Sequence, residues 1–387
     1  MRMILRSERV LTQGQIQPAD LIIEHDCITA VAPYQSINEA FNLGNRLVVP
    51  GFVDLHSDAV EKEVEPRPGA SFPVDNALVE LDKKLAMSGI TTMFHAIAFN
   101  EESLCGLRGN SNAALLIESI WRGNQHLLSI DNLVHARFEI TSFTSAQILK
   151  ELMAQGMIQI LSFMDHTPGQ GQFKSLEKWR EYHKPVFELT DEAVEHIVTT
   201  QLDKKKICMD YLVELSHFAR EHGILLASHD DDTPAKIDLM DGLGVTIAEF
   251  PLCLETAAHA RSQGMATGMG APNIVRGQSQ SGNISARVLV EHNLCDFLCS
   301  DYHPSSMLQG VYTMIREAGL TPEQAFSYVS TTPAAIAGLS DRGEIAPGKL
   351  ADILVIEDTM VPKVVMTLKS GKPVYSGSSC LCIQEYA

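Results

Sequence analysis

Imidazole and carboxylate side chains recur at the ends of apolar runs in this chain. One run closes on His56-Ser57-Asp58 and another carries His135, Arg137 and Glu139. A third closes on Asp165-His166, a fourth on His229-Asp230-Asp231-Asp232, and a last on Asp301 with His303 two residues on. His95 and Glu249 lie within two further runs. Residues two apart on a strand share a face, so His56 with Asp58, and His135 with Arg137 and Glu139, would point the same way. Imidazole and carboxylate without thiolate suit zinc, manganese, iron or nickel. The expectation is one or two divalent ions, zinc first, held by His56, Asp58, Glu139, His166, His229 and Asp301. Two ions about 4 Å apart need a bridging carboxylate, and Glu139 is the candidate. Such an ion brings the pKa of a bound water to about 7. Asp301 could both touch the ion and take that proton.

Blander readings apply to single residues. His95 and His135 taken alone read as core histidines. Asp231 and Asp232 read as solvated carboxylates or a helix N-cap. Arg276 reads equally as a surface charge. Five separate runs ending in acid or imidazole are harder to assign to scattered surface charge.

The elements that must position these groups alternate. Strand-like runs occur at LVVPGFVDLH, GITTMFHAIAF, NLVHARFEI, IQILSFMDH, GILLASHDD, VTIAEFP, MATGMGAPNI and CDFLCSDYH. Helical patterns separate them, among them NALVELDKKLAMSG and TSAQILKELMAQG, and several end at a glycine: Gly89, Gly156, Gly223 and Gly264. Eight strands with helical crossovers predict an α/β fold, a closed (β/α)8 TIM barrel over 51–344. In that barrel the strand ends converge on one face, where active sites sit. The β-branched runs of 1–50 and 345–387 cannot bury a face alone and are expected to form one small β-sandwich. The longest insertion, from about Thr167 to Asp191, is polar and reads as a loop over the active-site face.

Bulk properties bound the function. The 387 residues are 45% hydrophobic and 20% charged, with a net charge of −18, so a sizeable core is available and a nucleic-acid or anionic-membrane partner is disfavoured. A small-molecule substrate remains, and self-association is compatible with the composition. The eight cysteines form no CxxC pair, which argues against a zinc ribbon or redox motif. The first residues lack the apolar core of a signal peptide, no apolar run approaches about 20 residues, and a cytoplasmic location is the simplest expectation.

The motifs VPGFVDLHSD, SDY and the tail TTPAAIAGLSDRGEIAPGKLADILVIED resemble the amidohydrolase superfamily over essentially the whole chain. That resemblance implies a metal-dependent hydrolase on a barrel with a small β-sandwich from both termini. Two departures stand out: the usual His-x-His of the first strand is His56-x-Asp58, and the usual sixth-strand His is replaced by Glu249. With FMDHTPGQGQF, ASHDDDTP and GAPNIVRGQSQSGN, they resemble a branch that releases pyrophosphate from a ribose 5-triphosphate. Compatible with that resemblance, Lys62, Arg67, Glu249, Arg276 and His303 are the expected contacts of a phosphorylated substrate, with Lys62, Arg67 and Arg276 expected in loops after the first and seventh strands. Gln278, Ser279, Ser281 and Asn283 would donate to phosphate near the next helix start. Competing readings are an amidase or cyclic-amide hydrolase of the same superfamily, and a silent barrel that only binds metal.

Overall fold

The computed structural model describes residues 2–67, 69–100, 108–167, 177, 190–279 and 282–377. Most of the Thr167–Asp191 insertion, Ser281, Cys105, Cys380 and Cys382 lie outside the described residues. Two sheets organise the rest. The first takes β1 (Arg2–Thr12), β2 (Gln15–Glu24), β3 (Cys27–Pro33), β4 (Phe41–Asn42) and β5 (Leu47–Pro50) from the start of the chain. It takes β14 (Ile353–Glu357), β15 (Lys363–Lys369) and β16 (Lys372–Ser376) from the end, in the order β16-β15-β14-β5-β1-β2-β3 with β4 on β1. Leu5, Val10, Leu21, Ile23, Ile353, Val355 and Leu368 share its core. This is the sheet from both termini that the β-branched runs required.

The second sheet holds β6 (Phe52–Ser57), β7 (Ile90–Phe99), β8 (Asp131–Glu139), β9 (Ile160–Met164), β10 (Leu225–His229), β11 (Ile247–Glu249), β12 (Ala266–Gly270) and β13 (Phe297–Cys299), neighbours in sequence order. The ladders from β8 through β12 are parallel. A bridge between Ser57 and Asp301 brings the first strand back to the chain just beyond the last, closing the barrel. Every residue of β6, β7 and β9 is buried, as expected of parallel strands covered on both faces.

The chain divides into two compact units: residues to Phe94, Gly123–Asn132 and from Asp296 onward form one, and His95–Arg122 with Leu133–Cys295 the other. In the first, Asp131 at the start of β8 accepts from Lys369 at 2.8 Å and from Arg342, and Lys369 also meets Asp352 at 2.7 Å. Gly89, the residue before β7, has φ +88, and a Cβ there would lie 2.7 Å from Leu354 Cδ1, so any other residue would be strained and would have to displace that side chain. The second unit carries the helices Ser145–Ala154, Asp191–Lys205, Met209–Glu221 and Pro234–Gly242. Thr233 caps the last of these through its side chain, with proline in the first turn.

Candidate metal centre

In the first unit the backbone fixes the first- and last-strand residues as a set. Asp301 N–H donates to His56 O at 3.0 Å and Asp58 N–H to Asp301 O at 2.8 Å. Ser57 Oγ donates to the same Asp301 carbonyl at 2.7 Å. Buried Asp54 ties the set from below, accepting from Ser300 N–H at 3.0 Å and His56 N–H at 3.3 Å. His56 is buried, and Asp301 takes a left-handed φ of 56. A non-glycine residue held there is strained, and such strain gathers at functional sites. Lys62, expected in a loop, stands instead on the short helix Ala59–Val64, with Nζ 5.0 Å from the Tyr302 ring centroid. His303 is exposed and meets Ser305 Oγ at 2.9 Å, and Arg67 is exposed.

The second unit holds more of the chemistry. His166 Nδ1 lies 3.0 Å from Glu139 Oε2, and His166 N–H donates to Glu139 Oε1 at 3.2 Å. Asp230 Oδ2 lies 3.3 Å from His229 Nδ1 and 4.0 Å from His166 Nε2. His166, His229 and Asp230 each offer a donor atom within 4.8 Å of the others. Two imidazoles and a carboxylate without thiolate fit a borderline divalent cation. Burial opposes ionisation of Asp230, but His229, His166 and Lys236 outweigh it and hold its carboxyl at about 2. Asp230, like Phe250, has a φ of 53. The Phe250 ring meets the His229 ring edge-on at 5.0 Å.

Other pairs were not legible in the sequence. His135, which alone read as a core residue, is fully buried with Nε2 3.5 Å from Glu249 Oε2. Ser162 Oγ donates to the same oxygen at 3.3 Å. Glu249, expected to contact substrate, thus stands beside an imidazole as a further potential donor. Asp231 is not solvated: it is 0% exposed, accepts from Ser228 Oγ and meets Lys236 Nζ at 3.2 Å. Lys236 Nζ also donates to His229 O at 3.0 Å. Asp165 meets Lys205 Nζ at 2.6 Å. Arg137 Nη2 lies 3.1 Å from His229 Nε2. Arg276 is exposed at the end of the helix Ala271–Arg276 rather than in a loop. His95 is buried on β7. The only advance signal for these pairings was the alternation of His135, Arg137 and Glu139 on one strand.

The amidohydrolase family model matches residues 47–375, the span that contains the barrel and β14 to β16. The chain belongs to the amidohydrolase family. It is a metal-dependent hydrolase, and among the described residues His166, His229 and Asp230 form a group that could hold a divalent ion. This amidohydrolase is 33% identical to the α-D-ribose 1-methylphosphonate 5-triphosphate diphosphatase of Escherichia coli K12, over 91% of this chain and 94% of that one. Its fold is similar to that of two solved amidohydrolase barrels. They are the N-acetyl-D-glucosamine-6-phosphate deacetylase of Mycobacterium smegmatis (TM-score 0.65, 14% identity, 97% of this chain and 100% of that one) and the dihydropyrimidinase of Brevibacillus agri (TM-score 0.66, 14% identity, 97% and 95%). No helix among the described residues is long and apolar enough to cross a membrane.

Proposed function

We propose that this amidohydrolase cleaves a phosphoanhydride, releasing pyrophosphate from α-D-ribose 1-methylphosphonate 5-triphosphate and leaving the 5-phosphate. The observation that carries the reading is the near full-length similarity to the Escherichia coli diphosphatase. The fold neighbours are a deacetylase and a dihydropyrimidinase, but at 14% identity they speak for the barrel alone.

The proposed metal donors of the second unit are Glu139, His166, His229 and Asp230, with His135 and Glu249 as a further pair; in the first unit His56, Asp58 and Asp301 are proposed donors. Zinc is the proposed metal, as one or two ions. When bound it would supply electrophilic activation of water and of a phosphoryl oxygen. The chain's own groups do the rest. Asp301 receives the proton of the attacking water and returns it to the departing phosphate. Lys236 and Phe250 hold His229 from its carbonyl and its ring face. Lys62, Arg67, Arg276 and His303 are the proposed contacts of the outer phosphates, where exposed cations can close on substrate with little prior desolvation. Phosphoryl transfer asks mainly for positioning and for positive charge against the leaving group.

The test is to incubate the metal-loaded protein with the ribose triphosphate, with N-acetylated amino sugars and with cyclic amides. Pyrophosphate is expected from the first and no turnover from the others. Turnover of an amide with the triphosphate left intact would sink the proposal.

A further inference from the structure

The cations around His166 and His229 are not equivalent. Lys205 is held by Asp165 at 2.6 Å and Lys236 by Asp231 at 3.2 Å. Among the described residues Arg137 has no such anion. It is 6% exposed, its Nε meets no hydrogen-bond partner, and among the described residues it forms no ion pair; its contact is Nη2 to His229 Nε2 at 3.1 Å. A guanidinium stays protonated in proteins, so unlike a lysine it cannot escape burial by losing a proton. A buried charge is normally paired.

Strand register explains where this charge points. Arg137 on β8 is level with Ser162 on β9, which is level with Ala227 on β10. His229 lies two residues on from Ala227 and therefore on the same face. The guanidinium is thus presented to the His166, His229 and Asp230 group. Its planar fork matches two oxygens of a tetrahedral oxyanion.

We propose that Arg137 binds a phosphate group of the substrate beside the metal centre and is the principal specificity-determining cation of the site. Its burial makes it selective, because a neutral ligand there would leave the guanidinium uncompensated. The identity of the anion as phosphate rests on the phosphoanhydride reading. The residue's role as an anion-binding group stands on its own geometry.

The experiment compares metal-loaded wild type, Arg137→Met and Arg137→Lys. Inorganic pyrophosphate binding is followed by calorimetry, alongside metal content, unfolding midpoint and ribose triphosphate turnover. Arg137→Met should keep its metal and bind pyrophosphate about ten- to a hundredfold more weakly. It should also unfold no earlier than wild type, since an unpaired buried cation has been removed. Arg137→Lys, which keeps the charge without the fork, should bind with intermediate affinity and covers the case in which the methionine variant does not fold. Wild-type affinity in both variants would overturn the assignment while leaving the diphosphatase reading intact. Loss of metal together with pyrophosphate would also overturn it, by showing that Arg137 acts through His229. Conversely, a wild type that binds pyrophosphate through Arg137 but hydrolyses only amides would end the diphosphatase reading and leave the anion site standing.

Discussion

At the scale of single residues, two side chains carry the sharpest expectations. Asp301 is held by backbone bonds to His56 and Asp58 in a left-handed conformation that costs energy. If it takes the proton of the attacking water, Asp301→Asn should lower kcat by about 10²- to 10⁴-fold. Steady-state kinetics with metal analysis would check this, and an asparagine variant with unchanged kcat would remove Asp301 from the chemistry. Chelation of the wild type should abolish turnover and added zinc should restore it. The second residue is Lys236, whose ammonium faces Asp231, 0% exposed, and the His229 carbonyl. Lys236→Met leaves a buried carboxylate with only Ser228 to serve it and should cost about 3 kcal/mol. Urea unfolding measures that directly. A loss below about 1 kcal/mol would show that Ser228 suffices.

At the scale of elements, the start of β8 is pinned to the terminal sheet by Asp131, Arg342 and Lys369. Burial raises the Asp131 pKa, but Lys369 and Arg342 outweigh it and the net shift is downward. A carboxyl depressed in the folded state stabilises above its unfolded pKa of about 3.9, and loses that contribution as pH falls through the lower folded value. Asp131→Asn should therefore lower stability at neutral pH and flatten the fall of stability below about pH 4. Urea midpoints across that range would show it, and parallel curves for the two proteins would contradict it. Elements were also where sequence reading worked well. Gly89, Gly156, Gly223 and Gly264 all have positive φ, as helix-ending glycines should. The readings that missed were local ones. Lys62 and Arg276 stand on six-residue helices, too short for periodicity to reveal.

For the molecule as a whole, a net charge of −18 sets a long-range field that repels a triphosphate. Salt screens that field over about 10 Å at 0.1 M. With the proposed substrate, kcat/KM should rise as salt is increased from about 10 to about 100 mM. A steady fall over that range would mean that local cations, Arg137 foremost, control encounter instead.

The sequence by itself determined the barrel, the terminal sheet and the family. Those depend on periodicity, glycine stops and contiguous motifs, which are local and survive in one dimension. It also marked most of the acids and imidazoles, because strand ends are visible as the ends of apolar runs. Only the tertiary structure decided which of them pair. His135 meets Glu249, Asp231 meets Lys236, and Arg137 meets His229 with no anion of its own among the described residues. Those partners are brought together by the register of neighbouring strands and by the packing of the chain after β10. Nothing in the spacing of a single strand encodes either one.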